Sequence, residues 1–120
     1  FSATHKPIVF NAASHSNGVF QSVADALRLE IENDKSLLGC VIVVGYNVAP
    51  YDAVRKKFPN SKIIPYQLEQ LCSIGNMWWN HAGLSKEVKQ WLTSCDEIWD
   101  YSIENIQFLR TQSLIKAKVK

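Results

Sequence analysis

Cysteine is scarce and scattered in this chain. Cys40, Cys72 and Cys95 are the only three, an odd number with no C-x-x-C pair and no histidine at zinc-finger spacing. That argues against a disulfide framework or a structural zinc site, and it fits a reducing, cytoplasmic setting. Five glycines and four prolines in 120 residues set the chain apart from collagen-like and low-complexity sequences. The longest apolar run, residues 41–44 extended by Leu37 and Leu38, is far short of the roughly 20 residues that span a bilayer. The first six residues have neither the basic start nor the apolar centre of a secretory leader. An excess of one charge is missing too: 13 Lys and Arg against 11 Asp and Glu leave +2, no electrostatic footprint for duplex nucleic acid. What is present is a 47% hydrophobic chain, enough to bury the core of one domain over residues 1–120.

The hydrophobic pattern alternates between two periods. Residues 7–11 form a short apolar run after a proline, followed by a loop of small and turn-forming residues over 12–18. Val19, Val23, Ala26, Leu27 and Ile31 then recur at helical spacing, with Ser16 or Asn17 as N-cap. Residues 38–44 are apolar on both faces and too short for a typical helix, the pattern of a central parallel strand ending at Gly45. A short helix within 47–58, a strand over 61–66 and a helical turn over 67–71 follow. In that strand Pro65 is expected at the strand end or on an edge. Residues 73–83 have no clean period. A helix through Leu84, Val88, Trp91 and Leu92, with Ser85 as its cap, leads to a strand over 95–101. Ser102 then caps a helix through Ile103, Ile106 and Leu109, and residues 114–119 begin a fifth strand in which lysines alternate with apolar residues. Strands separated by helices imply βαβ units: an α/β, Rossmann-like three-layer domain with a mainly parallel sheet of about five strands. The chain stops inside a strand-like segment, so we expect the N-terminal half of a longer two-domain protein.

In such a sheet, ligands bind beyond the carboxyl ends of the strands. The loop after the first strand holds His15, Asn17 and Gly18; it feeds a helix N-terminus but is neither a dinucleotide fingerprint nor a P-loop. His15 is of the type that serves as a base near neutrality, although Ser, Asn and Gly are also ordinary cap and turn residues. Tyr66, Gln67, Glu69 and Gln70 offer donors and acceptors suited to hydroxyl-rich ligands, or form a plain exposed first helical turn. Trp78 and Trp79 provide aromatic faces for a sugar, or one packs in the core and the other at an interface. We expect one of them buried and one exposed. Asp96 and Asp100 share a strand face while Glu97 points away, which argues against a joint metal site.

The segment Ile63-Ile64-Pro65-Tyr66-Gln67-Leu68-Glu69-Gln70-Leu71, a Trp-containing stretch, and Asp96-Glu97-Ile98-Trp99-Asp100-Tyr101-Ser102 running on to Asn105 resemble the N-terminal, acceptor-side domain of GT-B-type glycosyltransferases. The resemblance covers about residues 60–110; residues 1–59 fit by order of elements, and the first loop has only Gly18 where the wider class often has a doubled glycine. It implies that Tyr66, Glu69, Gln70, Tyr101, Ser102 and Asn105 line an interdomain cleft, with His15 a candidate catalytic base beside Asn17. It further implies a sugar or glycan acceptor as partner, no resident cofactor or metal, and a sugar-nucleotide donor held by a C-terminal domain, without which this chain is inactive. The alternative is a small flavodoxin-like or receiver-like module that binds another chain through Trp78 and Trp79, although Asn11-Ala12-Ala13 lacks the paired acids of a phosphorylation receiver.

Overall fold

A computed structural model describes residues 4–12, 18–46, 49–67, 86–100, 102–111 and 115–120. Five strands, β1 (Ile8–Asn11), β2 (Cys40–Val44), β3 (Lys62–Gln67), β4 (Glu97–Asp100) and β5 (Lys118–Val119), alternate with α1 (Gly18–Ile31), α2 (Tyr51–Lys57), α3 (Lys86–Ser94) and α4 (Ile103–Arg110). Every strand pair is parallel, and the order across the sheet repeats the order along the chain. The α/β class and the five-stranded parallel sheet expected from the sequence are therefore present. No helix among the described residues is long and apolar enough to cross a membrane.

Strand β2 lies inside the sheet between β1 and β3, and all five of its residues are buried. Its β-branched side chains fit because both faces are covered. Glycines with positive φ bracket it, Gly39 at 79° and Gly45 at 71°, a conformation that costs a side chain with a Cβ. Leu38, expected to open this strand, instead follows a 3-10 turn at Lys35–Leu37 and is half exposed. Asp34 causes the early stop: its carboxylate accepts from the Ser36 N–H and hydroxyl, which caps the turn.

The two faces differ. Val41, Val43, Ile63, Ile98 and Val119 pack against Val54 of α2, Val88, Trp91 and Leu92 of α3, and Phe108 and Leu109 of α4. Val9, Cys40, Ile42, Val44 and Ile64 pack against Ala24 and Ile31 of α1. Among the described residues three helices on one side and one on the other make three layers. Because the strands are added in one direction, the crossovers through α2, α3 and α4 share one hand and the crossover through α1 has the opposite hand. The two hands cannot both follow the strong right-handed preference of βαβ units, so this sheet departs from it in part.

Pro65 departs from expectation, lying within central strand β3 rather than at an edge. The reason is directional. The Lys62 N–H donates to Gly39 O toward β2, whereas the Ile63 N–H donates to the Asp96 carboxylate on the β4 side. Residue 65 has the parity of residue 63, so its missing N–H also falls on the β4 side, where backbone pairing begins only at Tyr66.

Trp91 is the largest fully buried side chain among the described residues. Its Nε1–H donates to Ala49 O at 2.6 Å, and its ring meets Tyr46 and Tyr51 edge-on, with centroids 5.5 and 5.0 Å away. Urea unfolding of Trp91→Ala is expected to show a loss of about 3–5 kcal/mol, the usual cost of deleting a buried aromatic. Trp91→Phe is expected to lose about 1–3 kcal/mol, because the Ala49 carbonyl is left without its donor. A Phe variant as stable as wild type would show that the hydrogen bond contributes nothing.

Candidate functional site

The carboxyl edge of the sheet is where the chain changes face. After β1 it goes on to α1, and after β2 to α2 on the other face, so adjacent strands β1 and β2 send the chain to opposite sides of the sheet. Asn11 at the end of β1 is held by a polar chain along α1: its Nδ2 donates to Gln21 Oε1, Gln21 donates to Asp25, and Arg28 bonds both Asp25 and Val9 O. Just beyond the strand the Ala12 N–H donates to Val44 O, which continues the β1–β2 ladder to its end. These bonds fix the end of β1 against α1 and β2.

Further along the same edge, β3 and β4 end side by side, with Tyr66 opposite Trp99 and Gln67 opposite Asp100. Lys120 bonds Ile98 O and the Asp100 N–H through its backbone, which places it opposite Trp99. A single row thus crosses the sheet on the α1 side: Asn11, Val44, Tyr66, Trp99 and Lys120. Tyr66 and Trp99 are both partly exposed.

Beyond β4, Asp100 Oδ1 accepts from the Ser102 N–H at 2.8 Å and from Asn105 Nδ2 at 3.3 Å. Ser102 caps α4, its hydroxyl accepting from the Asn105 N–H and donating to Glu104. Asn105 is fully buried. Of these two expected ligand contacts, Asn105 thus acts from inside by holding Asp100, and Ser102 is committed to the cap.

Behind Trp99 lies a buried charge. The Glu97 side chain is only 2% exposed and both of its oxygens are occupied: Lys62 Nζ donates to Oε1 at 2.8 Å, Trp99 Nε1 donates to Oε2 at 2.6 Å, and Lys120 Nζ lies 3.5 Å from Oε2. Burial alone would raise its pKa, but the bonds from Lys62 and Trp99 and the charges of the two lysines outweigh it and hold the carboxyl below its ordinary value. Asp96, its neighbour, turns to the opposite face and pairs with Arg55 at 2.9 Å. Asp96, Glu97 and Asp100 therefore go to three separate environments, and no group of three candidate metal ligands occurs among the described residues. Cys40 and Cys95 are free and buried; desolvation raises both thiols, Cys95 to about 12, so neither is a ready nucleophile. An apolar groove lined by Lys6, Glu32, Asn33, Asp34, Lys35 and Leu38 sits at the amino edge, away from these strand ends.

Of the site residues expected from the sequence, Tyr66, Ser102 and Asn105 are placed at or beside the carboxyl edge, and Gly18 begins α1. His15, Asn17, Glu69, Gln70, Trp78, Trp79 and Tyr101 lie outside the described residues. Trp99 is not among the site residues expected from the sequence. Its signal was the i, i+2 spacing with Glu97, which on a strand puts an indole N–H beside a carboxylate.

The Glu97 arrangement makes acid stability a readout of the site. A carboxyl whose pKa is lower folded than unfolded stabilises the fold above its unfolded pKa, and that contribution disappears as pH falls through the folded pKa. Glu97→Gln is expected to be less stable than wild type by about 1–3 kcal/mol at pH 7, below the range for a wholly buried pair because both lysines reach solvent. The difference should shrink as pH falls below the ordinary glutamate value, measured by urea unfolding across the acid range. A difference independent of pH would mean that charge plays no part.

Compared with known protein families, curated proteins and solved structures, the chain matches none of them.

Proposed function

We propose that this chain is the acceptor-side domain of a GT-B-like glycosyltransferase, binding a hydroxylated sugar or glycan at the carboxyl edge of its sheet. The observation that carries the reading is the pairing of β3 with β4. The two segments on which the resemblance rests end about 30 residues apart in sequence, yet Tyr66 stands opposite Trp99 and Gln67 opposite Asp100 at the same edge. The aromatic pair, on one face of the sheet, suits the C–H faces of a sugar. A three-layer parallel sheet agrees with such a domain at the level of layers, while its strand order, β1-β2-β3-β4-β5, differs from the doubly wound one.

In this reading His15, which follows β1 in sequence, supplies the base that removes the acceptor proton. The sugar-nucleotide donor and its phosphates belong to a second domain, so this chain binds acceptor without transferring sugar. Saturation-transfer NMR with a panel of neutral mono- and oligosaccharides is expected to show transfer to sugar ring protons. Tyr66→Ala should weaken binding about three- to tenfold. No transfer to any saccharide, together with concentration-dependent self-association in ultracentrifugation, would replace this reading with a protein-interaction module.

A further inference from the structure

The helix α1 packs on β1, β2 and, through Ile64, β3 of its sheet face, and among the described residues no second helix lies on that face beyond it, over β4 and β5. Read across the strands, that side presents Tyr66, Trp99 and Lys120 at the carboxyl edge and Ile64, Glu97 and Lys118 in the row behind, with Lys62 one step back on β3. Three lysines face one carboxylate, and that carboxylate is consumed, since Glu97 is enclosed and bonded through both oxygens. Lys118 and Lys120 are exposed. The excess is therefore positive and accessible.

Trp99 gives the patch its shape. Its N–H lies in the ring plane, so the bond to Glu97 pins the indole by one edge and leaves the ring faces out of the bond. A Glu97 clamped by two lysines would be a costly way to add stability alone; what it provides here is a fixed orientation for the ring. The apolar content is small: Ile64 is fully buried, which leaves Tyr66 and Trp99. That is enough for one sugar ring but too little for the stripe of anchors that seats a helix.

Resting on the acceptor reading above, we propose that the row of Tyr66, Trp99 and Lys120, backed by Lys118, takes an acidic saccharide. One ring stacks on Trp99, and its anionic group meets the ammonium groups of Lys120 and Lys118, where the potential is positive and Glu97 is already neutralised. Lys62 and Glu97 are positioning residues that hold the indole.

The test compares one sugar in two charge states. Trigalacturonate and its fully methyl-esterified form are titrated calorimetrically into the intact chain at low and at physiological salt, while the Trp99 indole Nε1–H resonance is followed by NMR. The acid form is expected to bind about tenfold tighter at low salt, with the preference shrinking as salt rises, and to shift the Trp99 resonance. The Lys118→Ala/Lys120→Ala variant should bind both forms alike, and Trp99→Phe should weaken both, with the Trp91 indole resonance reporting that the variants remain folded. Equal binding of the two forms by wild type, or a preference that survives in the double lysine variant, overturns the acidic class and leaves the acceptor reading in place. Absence of binding by both forms and by the neutral panel removes both readings. Polyglutamate binding as tightly as trigalacturonate, indifferent to Trp99→Phe, would reassign the patch to an acidic peptide.

Discussion

Everything in this fold depends on burying β2 from both sides. A strand that reads Cys-Val-Ile-Val-Val has no polar face, so water must be excluded above and below it. Each fully buried Val or Ile contributes about 1.5–3 kcal/mol, but only if α1 closes one side and α2 with α3 closes the other. The reversal of the chain between its first and second crossovers follows from that demand. The same reversal sends the chain to opposite faces of the sheet after β1 and β2. Core burial thus also sets the direction the chain takes beyond the carboxyl ends of these strands.

Two adjacent carboxylates repeat the theme in charged form. Asp96 and Glu97 point to opposite faces because they are successive residues of an extended segment. One meets Arg55 of α2 and the backbone of β3, the other meets Lys62 of β3 and Lys120 beyond β5. Arg55 also donates to Ser61 O and Phe58 O, so the pair ties the α2–β3 turn to the start of β4. Neither carboxylate is available for proton transfer or metal binding in this arrangement. Their work is to bring the ends of β3 and β4 together.

Much of this was legible in the sequence. The strand–helix alternation, the buried character of residues 40–44 and the helix containing Val88, Trp91 and Leu92 follow from periodicity, which reflects which faces meet water. Less legible were features set by partners distant in sequence. Pro65 reads as a strand terminator until it is known that its missing donor faces a stretch without a backbone ladder. Leu38 reads as strand until Asp34 is seen capping the turn before it. Ser102 and Asn105 were expected in a cleft through the resemblance; their bonds to Asp100, Glu104 and each other, which depend on how the chain turns into α4, were not legible in it. The alternation of lysines near the chain's end was visible, but which face it would share with Glu97 and Trp99 depended on the register of β5 against β4.

The proline in β3 has a mechanical consequence. Between β2 and β3 the sheet is laced by backbone hydrogen bonds, but alongside Pro65 the join between β3 and β4 relies on side chains: the Asp96 carboxylate on the Ile63 amide and the ion pair of Lys62 with Glu97. Side-chain ties answer to protonation and salt in a way that amide ladders do not. The domain is therefore built with a seam. On one side lie β1, β2 and β3 in continuous register, and on the other β4, α4 and β5, which carry Trp99 and Lys120 and are backbone-paired to β3 only at Tyr66 and Gln67.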